Sequence, residues 1–333
     1  MVGEWFKSYL SGRFQRVKVG NVLSDEKVIT CGVPQGSILG PILFLIYIND
    51  ICKTSDLLKF FLFADDTSTL LCDKSLQQIE ITYNMELNKI SEWLRANKLS
   101  LNVSKSNLLI FKTKNSLNHK VKIQIDGEQI KEKDYTKYLG IIIDNTLTWK
   151  NHIHQINLKI AKGIGIIAKL RHFVSKKQTR SLYFAFIQPY IDYGLINWGS
   201  APEHLLTMIK KKLDKVIRIM HFKKKKENCE ILFKESNILD FDKYYKYSIG
   251  NFMWKFSNGL TPQGLNFLFT ERIQVYEMGL GNSIDYNIPS VRLEMTKRGM
   301  RYRGALIWRG VPNDIKKSKS INSFKIKLKK HLL

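Results

Sequence analysis

Apolar and polar positions along the chain change period near residue 147. Before that point, short apolar runs alternate with glycine-containing and polar turns, which predicts strands and hairpins interrupted by a few helices. After it, apolar residues recur every three or four positions, as at 153–167 and 205–220, which predicts amphipathic helices. We therefore expect an α+β region over residues 1–147 followed by a mainly helical region.

Two segments at the start of the first region carry local signals. An alternating run at 13–22 predicts a strand that pairs with a second strand at 27–31. The loop at 32–37 contains two glycines and a proline, and the apolar run that follows it predicts a helix. Because that run is continuously apolar, we expect the helix to be buried.

Three further segments of the first region are also recognisable. Ser75 with Gln78 three positions later is a capping-box signature for a helix start, and the apolar spacing predicts a long helix that ends near Asn97. The Asp-Gly pair at 126–127 predicts a tight hairpin turn. Residues 138–143 predict one apolar strand.

Charge is unevenly distributed along the chain. There are 54 Lys and Arg against 29 Asp and Glu, a formal net charge of +25. Residues 1–150 hold 20 basic and 16 acidic side chains, whereas residues 151–333 hold 34 and 13, so the second part has a net charge of +21. Such an excess favours a polyanionic partner, most often nucleic acid, although a solvated lysine-rich surface is the alternative.

Cysteine spacing and hydropathy exclude several protein classes. The four cysteines show no paired spacing, so neither a zinc module nor a disulfide framework is expected. The longest apolar run, residues 38–48, is shorter than the roughly 18–20 residues needed to cross a bilayer. With no secretory signal pattern either, we expect no membrane association and an intracellular location, in the nucleus or cytoplasm.

Two adjacent carboxylates, Asp65 and Asp66, lie between the apolar runs 59–63 and 67–71. This pattern places them at the tip of a hairpin whose flanks we expect to be buried. Phosphoryl transfer by two metal ions requires carboxylates in such close proximity. The alternative is an ordinary turn, where Asp is favoured for its hydrogen bonds to the local backbone.

The order of four segments resembles the palm of a reverse transcriptase from a non-LTR retrotransposon, most closely of the jockey type. The segments similar to motifs B, C, D and E are GVPQGSILGPILFLIYINDI at 32–51, FADDT at 63–67, WLRANKLSLNVSKSNLLIF at 93–111 and YLGIIID at 138–144. The resemblance implies an RNA-directed DNA polymerase, a nucleotidyltransferase. It also implies a palm with an antiparallel sheet and packing helices over 1–147, a helical thumb over 148–225 and a basic C-terminal connector region over 226–333.

The resemblance also implies individual roles at the active site. Asp65 and Asp66 would hold the catalytic Mg²⁺, with Mn²⁺ as an alternative, and Lys105 would act as a general acid or charge partner near the triphosphate. The residues implied to contact the templating pair or the incoming nucleotide are Gln35, Gly36, Phe63 and Ala64. The residues implied to form the primer grip are Tyr138, Leu139 and Gly140. The implied partners are an RNA template, a DNA primer and deoxynucleoside triphosphates.

The predicted helix at 205–220 carries basic residues beside its apolar stripe. They are Lys211, Lys212, Lys215 and Arg218. We interpret them as a face that contacts nucleic-acid phosphates, with simple solvation as the alternative.

One departure from the family pattern concerns motif A, which supplies a further metal-binding aspartate upstream of residues 13–22. The sequence contains no such segment, and Asp25 lies in a polar turn and does not replace it. We therefore expect a truncated palm that is inactive as a polymerase. The alternatives are a non-catalytic nucleic-acid-binding remnant of a mobile element and an intron maturase. The oligomeric state stays open.

Overall fold

The computed structural model of the chain describes residues 1–111, 121–224, 227–271 and 285–333. The chain forms two compact units. Of the described residues, the first unit contains 1–108 and 121–132, and the second contains 109–111 and those from Lys133 to Leu333. Helices and strands are mixed, as predicted. The finer division at residues 147 and 225 stays a prediction.

The described residues of the first unit form three α-helices and ten short strands. The helices are α1 (Val2–Leu10), α2 (Leu39–Ile48) and α3 (Leu76–Ala96), with 3₁₀ turns at Asn49–Thr54 and Val103–Lys105. The strands are β1 (Arg13–Gln15), β2 (Lys18–Val19), β3 (Val22–Leu23), β4 (Lys27–Ile29), β5 (Lys59–Phe63), β6 (Asp66–Leu70), β7 (Asn107–Leu108), β8 (Gln124–Ile125), β9 (Glu128–Gln129) and β10 (Lys131–Glu132). The antiparallel pairs are β1–β4, β2–β3, β5–β6 and β8–β9, and β7 pairs with β10 in parallel.

The single strand predicted at 13–22 is wrong. β1 ends at Gln15, and β2 begins at Lys18. The chain reverses direction after β2, where Gly20 has φ +60°. β2 pairs with β3, and β1 pairs with β4. The segment is therefore one hairpin with β2–β3 as its inner pair and β1–β4 as its outer pair. The apolar alternation continues through a Gly-Asn turn, which is why it looked like one strand.

The long helix α3 begins and ends close to the predicted positions. The Ser75 hydroxyl accepts a hydrogen bond from the backbone N–H of Gln78 at 3.4 Å, which confirms the N-cap. The predicted capping box is not completed, because the Ser75 N–H donates to Asp73 Oδ1 at 2.9 Å and not to Gln78. The Gln78 side chain donates to Thr82 Oγ1 at 2.9 Å. The helix ends at Ala96, one residue before the predicted end.

The core of the first unit lies where α3 contacts β8 and the 3₁₀ turn after α2. Its buried apolar side chains include Ile51, Leu87, Ile90, Leu94, Ile123 and Ile125. The predicted Asp-Gly turn follows β8, with φ +52° at Asp126 and +80° at Gly127. The carboxylate of Asp126 accepts hydrogen bonds from Ser91 and Arg95, so the turn is fastened to α3.

Helix α2 forms where the apolar run predicted it, but the prediction that it is buried is wrong. Ile42, Leu45 and Ile46 are 50–68% exposed, and only Gly40 and Ile48 are buried. The helix is apolar around most of its circumference, whereas the described residues of this unit cover one side of it. Sequence hydropathy predicted the helix and could not predict which sides are covered.

The second unit contains one hairpin and eleven α-helices among its described residues. The strands are β11 (Tyr135–Tyr138) and β12 (Ile141–Asp144). The helices are α4 (Lys150–Leu170), α5 (Lys176–Phe186), α6 (Gln188–Asp192), α7 (Leu195–Trp198), α8 (Glu203–Met220), α9 (Cys229–Glu235), α10 (Phe241–Ser257), α11 (Glu294–Arg298), α12 (Met300–Arg309), α13 (Asn313–Lys316) and α14 (Ile321–Leu332). A 3₁₀ turn spans Gln263–Leu268. No helix of the described ranges is both long and apolar enough to cross a membrane.

One continuous hydrophobic core extends through the second unit from Ile153 to Leu328. The apolar stripes predicted at 153–167 and 205–220 are confirmed, because α4 and α8 bury them against each other. Trp198 and Trp308 are completely buried in the same core. Burial of apolar side chains at about 1.5–3 kcal/mol each makes this core the main source of stability of the helical unit.

Asp144 connects the hairpin to α4. Its carboxylate accepts hydrogen bonds from Thr146 Oγ1 at 2.6 Å, from the N–H of Thr148 at 2.9 Å and from the N–H of Trp149 at 2.7 Å. Burial alone would raise the pKa of Asp144, but these hydrogen bonds outweigh it and lower the pKa below its ordinary value. The carboxylate is therefore held charged at the start of the helix.

His152, on the first turn of α4, is buried between two aromatic rings. Its ring lies 6.5 Å from that of Trp149 and 5.9 Å from that of Trp198, and its Nδ1 accepts a hydrogen bond from the N–H of Ile142 at 3.3 Å. Burial, with a smaller contribution from Lys159, lowers the pKa of His152 to about 4. The ring is therefore neutral near pH 7.

We predict that the second unit loses stability as the pH falls from 6.5 to about 4. Above pH 6.5 His152 is neutral in both the folded and the unfolded chain, so it makes no pH-dependent contribution. Below pH 6.5 the unfolded chain binds a proton at His152 that the folded chain does not bind. This difference lowers the free energy of unfolding by about 3 kcal/mol by pH 4. Urea unfolding should show this dependence in the wild type and a weaker one in His152→Asn. Equal pH dependence in both proteins would contradict the assignment.

Candidate active site

The hairpin β5–β6 presents Asp65 and Asp66 at its tip. Phe63 pairs with Asp66, which leaves a turn of two residues, Ala64 and Asp65. Ala64 has φ +51°, a left-handed conformation that costs a non-glycine residue about 1–2 kcal/mol. The tight turn puts the two carboxylates at the end of the hairpin, as the sequence predicted.

The two faces of this hairpin have different surroundings. The inner face carries Thr69, whose hydroxyl is hydrogen-bonded to that of Tyr83 on α3. The outer face carries Phe61, Phe63 and Asp66, and the two phenylalanines are 50% and 62% exposed. The expectation that both flanks are buried is therefore wrong, because strand alternation places every second side chain on a face that the described residues leave open.

Both aspartates are exposed, and neither carboxylate has a hydrogen bond or ion pair within the described ranges. Their oxygens are therefore available, and carboxylate oxygen is the ligand that Mg²⁺ and Mn²⁺ prefer. No group of three or more His, Cys, Asp or Glu side chains able to hold a metal ion occurs in the described part of the chain. The pair fits a divalent cation only as part of a ligand set.

The loop at 32–37 precedes α2 and contains Gln35 and Gly36. Gly36 has φ +81°, and, its two chain neighbours aside, no heavy atom of the described residues lies within 4 Å of the position that a Cβ would occupy, so its backbone is accessible. Gln35 is exposed. The loop is held by Ser37, whose hydroxyl accepts hydrogen bonds from the N–H of Gly40 at 3.0 Å and from Tyr9 Oη at 2.7 Å.

Lys105 closes the 3₁₀ turn Val103–Lys105, and its side chain is exposed. Its backbone N–H donates to Asn102 Oδ1 at 3.2 Å. In the described ranges, no hydrogen bond or ion pair joins Lys105 or the loop at 32–37 to the tip of β5–β6. The three features belong to one unit without forming a closed site.

The single strand predicted at 138–143 is wrong, because this segment contains the turn between β11 and β12. Leu139 and Gly140 form that turn with φ of +44° and +84°. The Tyr193 hydroxyl donates to the carbonyl of Leu139, and a Cβ added at Gly140 would lie 3.1 Å from the Tyr193 ring. Tyr193 therefore fastens the tip that carries Tyr138, Leu139 and Gly140. This contact between distant segments had no signal in the sequence.

The four basic residues predicted on α8 differ in their surroundings. Lys211 and Lys215 are exposed. Lys212 Nζ donates to the carbonyl of Asn157 at 2.5 Å, and burial, with Lys215 nearby, lowers the pKa of Lys212. Arg218 Nε donates to the carbonyl of Glu227 at 3.2 Å. Two of the four side chains are therefore engaged with backbone carbonyls.

Comparison with known proteins shows what the first part of the chain is similar to. The family described as Reverse transcriptase (RNA-dependent DNA polymerase) matches residues 1–143. The chain is 30% identical over 222 residues to the "Probable RNA-directed DNA polymerase from transposon X-element" of Drosophila melanogaster, covering 64% of this chain and 24% of that protein. It is 29% identical over 215 residues to the "RNA-directed DNA polymerase from mobile element jockey" of the same species, covering 61% and 23%.

A third relative comes from another type of element. It is the "Retrovirus-related Pol polyprotein from type-1 retrotransposable element R1" of Bradysia coprophila, 26% identical over 204 residues, which cover 59% of this chain and 20% of that protein. The matched regions span about a quarter or less of the length of these relatives. Residues 1–143 are therefore similar to a reverse transcriptase domain, and the relatives named here come from transposons and retrotransposable elements.

Proposed function

We propose that the chain is part of an RNA-directed DNA polymerase, which extends a DNA primer along an RNA template with deoxynucleoside triphosphates. The observation that supports this best is the pair Asp65 and Asp66 at the exposed tip of β5–β6, inside a reverse transcriptase domain. The relatives named above are polymerases of mobile elements, and this chain would serve the same kind of element.

Asp65 would be the main ligand of the catalytic metal ions, and Asp66 would support it. Mg²⁺ is the proposed ion and Mn²⁺ the alternative. In phosphoryl-transfer sites Mg²⁺ is commonly held by one or two carboxylates, with water and substrate phosphates as further ligands. Such ions neutralise the phosphates and activate the attacking hydroxyl. Two exposed and unpaired carboxylates suit that arrangement.

The nucleotide would lie between the hairpin tip and the loop at 32–37. Gly36 leaves open space for a sugar or base beside its backbone, and Gln35 supplies an amide for hydrogen bonding. Phe63 and Ala64, next to the carboxylates, would border the same nucleotide. Lys105, with a free ammonium group, would pair with the departing pyrophosphate.

The turn of β11–β12 would serve as the primer grip. Tyr138, Leu139 and Gly140 form its tip, and the bond from Tyr193 to Leu139 keeps that tip in one conformation. We propose a palm over 1–147, a thumb over 148–225 and a connector over 226–333. Lys211 and Lys215 are the α8 residues best placed to contact phosphates, and Lys212 and Arg218 would contribute charge.

A non-catalytic, nucleic-acid-binding remnant of a mobile element is the second candidate. It is favoured by the incomplete ligand set at the tip and by the net charge of +21 over residues 151–333. We propose that residues 1–333 alone extend primers only slowly, because the ligand set at the hairpin tip is incomplete within the described ranges. An intron maturase ranks third. For all three candidates we propose a location in the nucleus or cytoplasm.

Primer extension separates the first two candidates. The chain would be incubated with an oligodeoxythymidylate primer on polyriboadenylate, with dTTP and either Mg²⁺ or Mn²⁺, at enzyme concentrations above that of the primer. Incorporation that requires both template and dTTP would support the polymerase. Binding of the primed template without any incorporation would support the remnant.

A further inference from the structure

The ends of α4 and α8 meet at one end of the second unit, and both are followed by basic and aromatic residues. Residues 171–173 read Arg-His-Phe after α4, and residues 221–224 read His-Phe-Lys-Lys after α8. Arg171 joins the two ends, since its guanidinium donates to the carbonyl of Ile219 at 2.8 Å. We call residues 171–177 and 221–224 the α4–α8 end.

Phe222 is held at the surface beside cationic groups. Its φ is +56°, a conformation that is uncommon for residues other than glycine, and its side chain is 55% exposed. The guanidinium carbon of Arg171 lies 4.5 Å from the centre of the Phe222 ring, and the His172 ring meets it edge-on at 5.3 Å. The ring is therefore oriented by its neighbours while much of its surface faces solvent.

Phe173, in the turn after α4, is still more accessible. At 85% exposure it is the most exposed aromatic side chain among the described residues. Only His172 separates it from Arg171, which contacts the Phe222 ring. Two accessible phenylalanine rings thus lie on the same basic end of the helix pair.

Cations outnumber acids around these rings. Arg171, Lys176, Lys177, Lys223 and Lys224 belong to the α4–α8 end, and all four lysines are exposed. Burial lowers the pKa of His221, Glu235 opposes this, and Lys176 and Lys223 add to the lowering. Two acidic side chains of the described ranges lie beside these residues: Glu235, 3.5 Å from His221, and Glu227, 3.7 Å from Lys223. The surface retains an excess of positive charge.

We propose that the α4–α8 end binds single-stranded nucleic acid, with bases stacked on Phe173 and Phe222 and phosphates held by the surrounding cations. Stacking on aromatic rings together with backbone contacts to basic side chains is how proteins bind single strands without sequence preference. A duplex keeps its bases stacked on each other and offers these rings only its backbone. The inference rests on the proposed function for the choice of nucleic acid over other polyanions.

The test is fluorescence anisotropy with the full chain and a labelled 20-nucleotide oligouridylate, compared with a blunt duplex of equal length. Phe173→Ala and Phe222→Ala should each weaken binding of the single strand about 10-fold and leave duplex binding within about 2-fold. Phe222→Tyr should bind as the wild type does, because it keeps the ring. Phe267→Ala is the matched control, since Phe267 is 73% exposed and has no cation stacked on it among the described residues.

Salt dependence tests the role of the cations. Replacing both Lys223 and Lys224 with glutamine should reduce the slope of log affinity against log salt by about 1.4 for the single strand. Unchanged single-strand affinity in both phenylalanine-to-alanine variants would overturn the proposal, as would equal weakening of the duplex. Phenylalanine-dependent binding to phosphatidylserine vesicles, without binding to oligouridylate, would assign the surface to membranes and also overturn it.

The outcome is separable from that of primer extension. If the chain extends primers but the phenylalanine variants bind oligouridylate normally, this inference alone fails. If the chain extends no primer but binds oligouridylate through Phe173 and Phe222, the inference stands and the polymerase proposal fails.

Discussion

Replacing Asp65 with asparagine should lower the rate of primer extension at least about 100-fold, from a starting rate that is itself low. Asparagine keeps the size of the side chain and removes the negative charge that attracts a divalent cation. Because Asp65 has no other partner within the described ranges, the substitution should not disturb the hairpin. Single-turnover extension with Mn²⁺ and excess enzyme is the appropriate measurement.

Two other aspartates serve as controls for that result. Asp66→Asn should lower the rate less than Asp65→Asn, because Asp66 is proposed to support the main ligand. Asp25→Asn should leave the rate unchanged, since Asp25 is an exposed residue of a polar turn in the same unit. An equal loss in Asp25→Asn and Asp65→Asn would show that general charge, not the hairpin tip, governs extension.

Gly163→Ala should destabilise the second unit by about 2 kcal/mol or more, as expected for overpacking a closely packed interface. A Cβ at this position would lie 2.6 Å from the carbonyl oxygen of Phe186 and 2.7 Å from Ile187 Cδ1. The first of these atoms belongs to the backbone, so α4 would have to move away from the end of α5. Urea unfolding, followed by circular dichroism and by hydrogen exchange of the α4 amides, would measure the loss.

Gly165→Ala is the matched control on the same helix. Apart from its own helix backbone and chain neighbours, no heavy atom of the described part of the chain lies within 4 Å of its added Cβ. The substitution should therefore only improve helix propensity and stabilise the unit by about 0.5–1 kcal/mol. The two variants should therefore shift stability in opposite directions. Similar effects of both substitutions would mean that the close contact of Gly163 with Phe186 does not limit packing.

Local signals in the sequence predicted the elements that depend on local interactions. The Ser75 cap and the length of α3 follow from a hydroxyl and a helical repeat within the segment itself. The Asp-Gly turn after β8 needs only two residues that tolerate positive φ. The stripes of α4 and α8 were predictable because both helices bury one face in the same core.

The sequence interpretation went wrong where a turn lies inside an apolar run. At 13–22 and at 138–143 the hydrophobic pattern continues on both sides of a glycine, so the run was interpreted as one strand. The structure reverses the chain near Gly20 and at Leu139–Gly140. In the second case Leu139 itself adopts φ +44°, which its residue type does not predict.

Burial was the other property that the sequence did not predict. The apolar run of α2 and the outer face of β5–β6 are largely exposed, because burial depends on which other segments cover them. For the candidate site, the hairpin tip with Asp65 was predicted from alternation and turn chemistry. The hydrogen bond between Tyr193 and Leu139 joins residues 54 positions apart, so local sequence patterns could not predict it. The hydrogen bond from Lys212 Nζ to the carbonyl of Asn157 was not predicted for the same reason.

Binding of Mn²⁺ at the hairpin tip tests the central claim most directly, since it does not require turnover. Electron paramagnetic resonance would measure free Mn²⁺ in the presence of dTTP, primed RNA template and the chain. We predict that Asp65→Asn weakens Mn²⁺ binding at least about 10-fold, whereas Asp25→Asn binds like the wild type. Equal Mn²⁺ affinity of the wild type and Asp65→Asn would contradict the assignment of this carboxylate as a metal ligand.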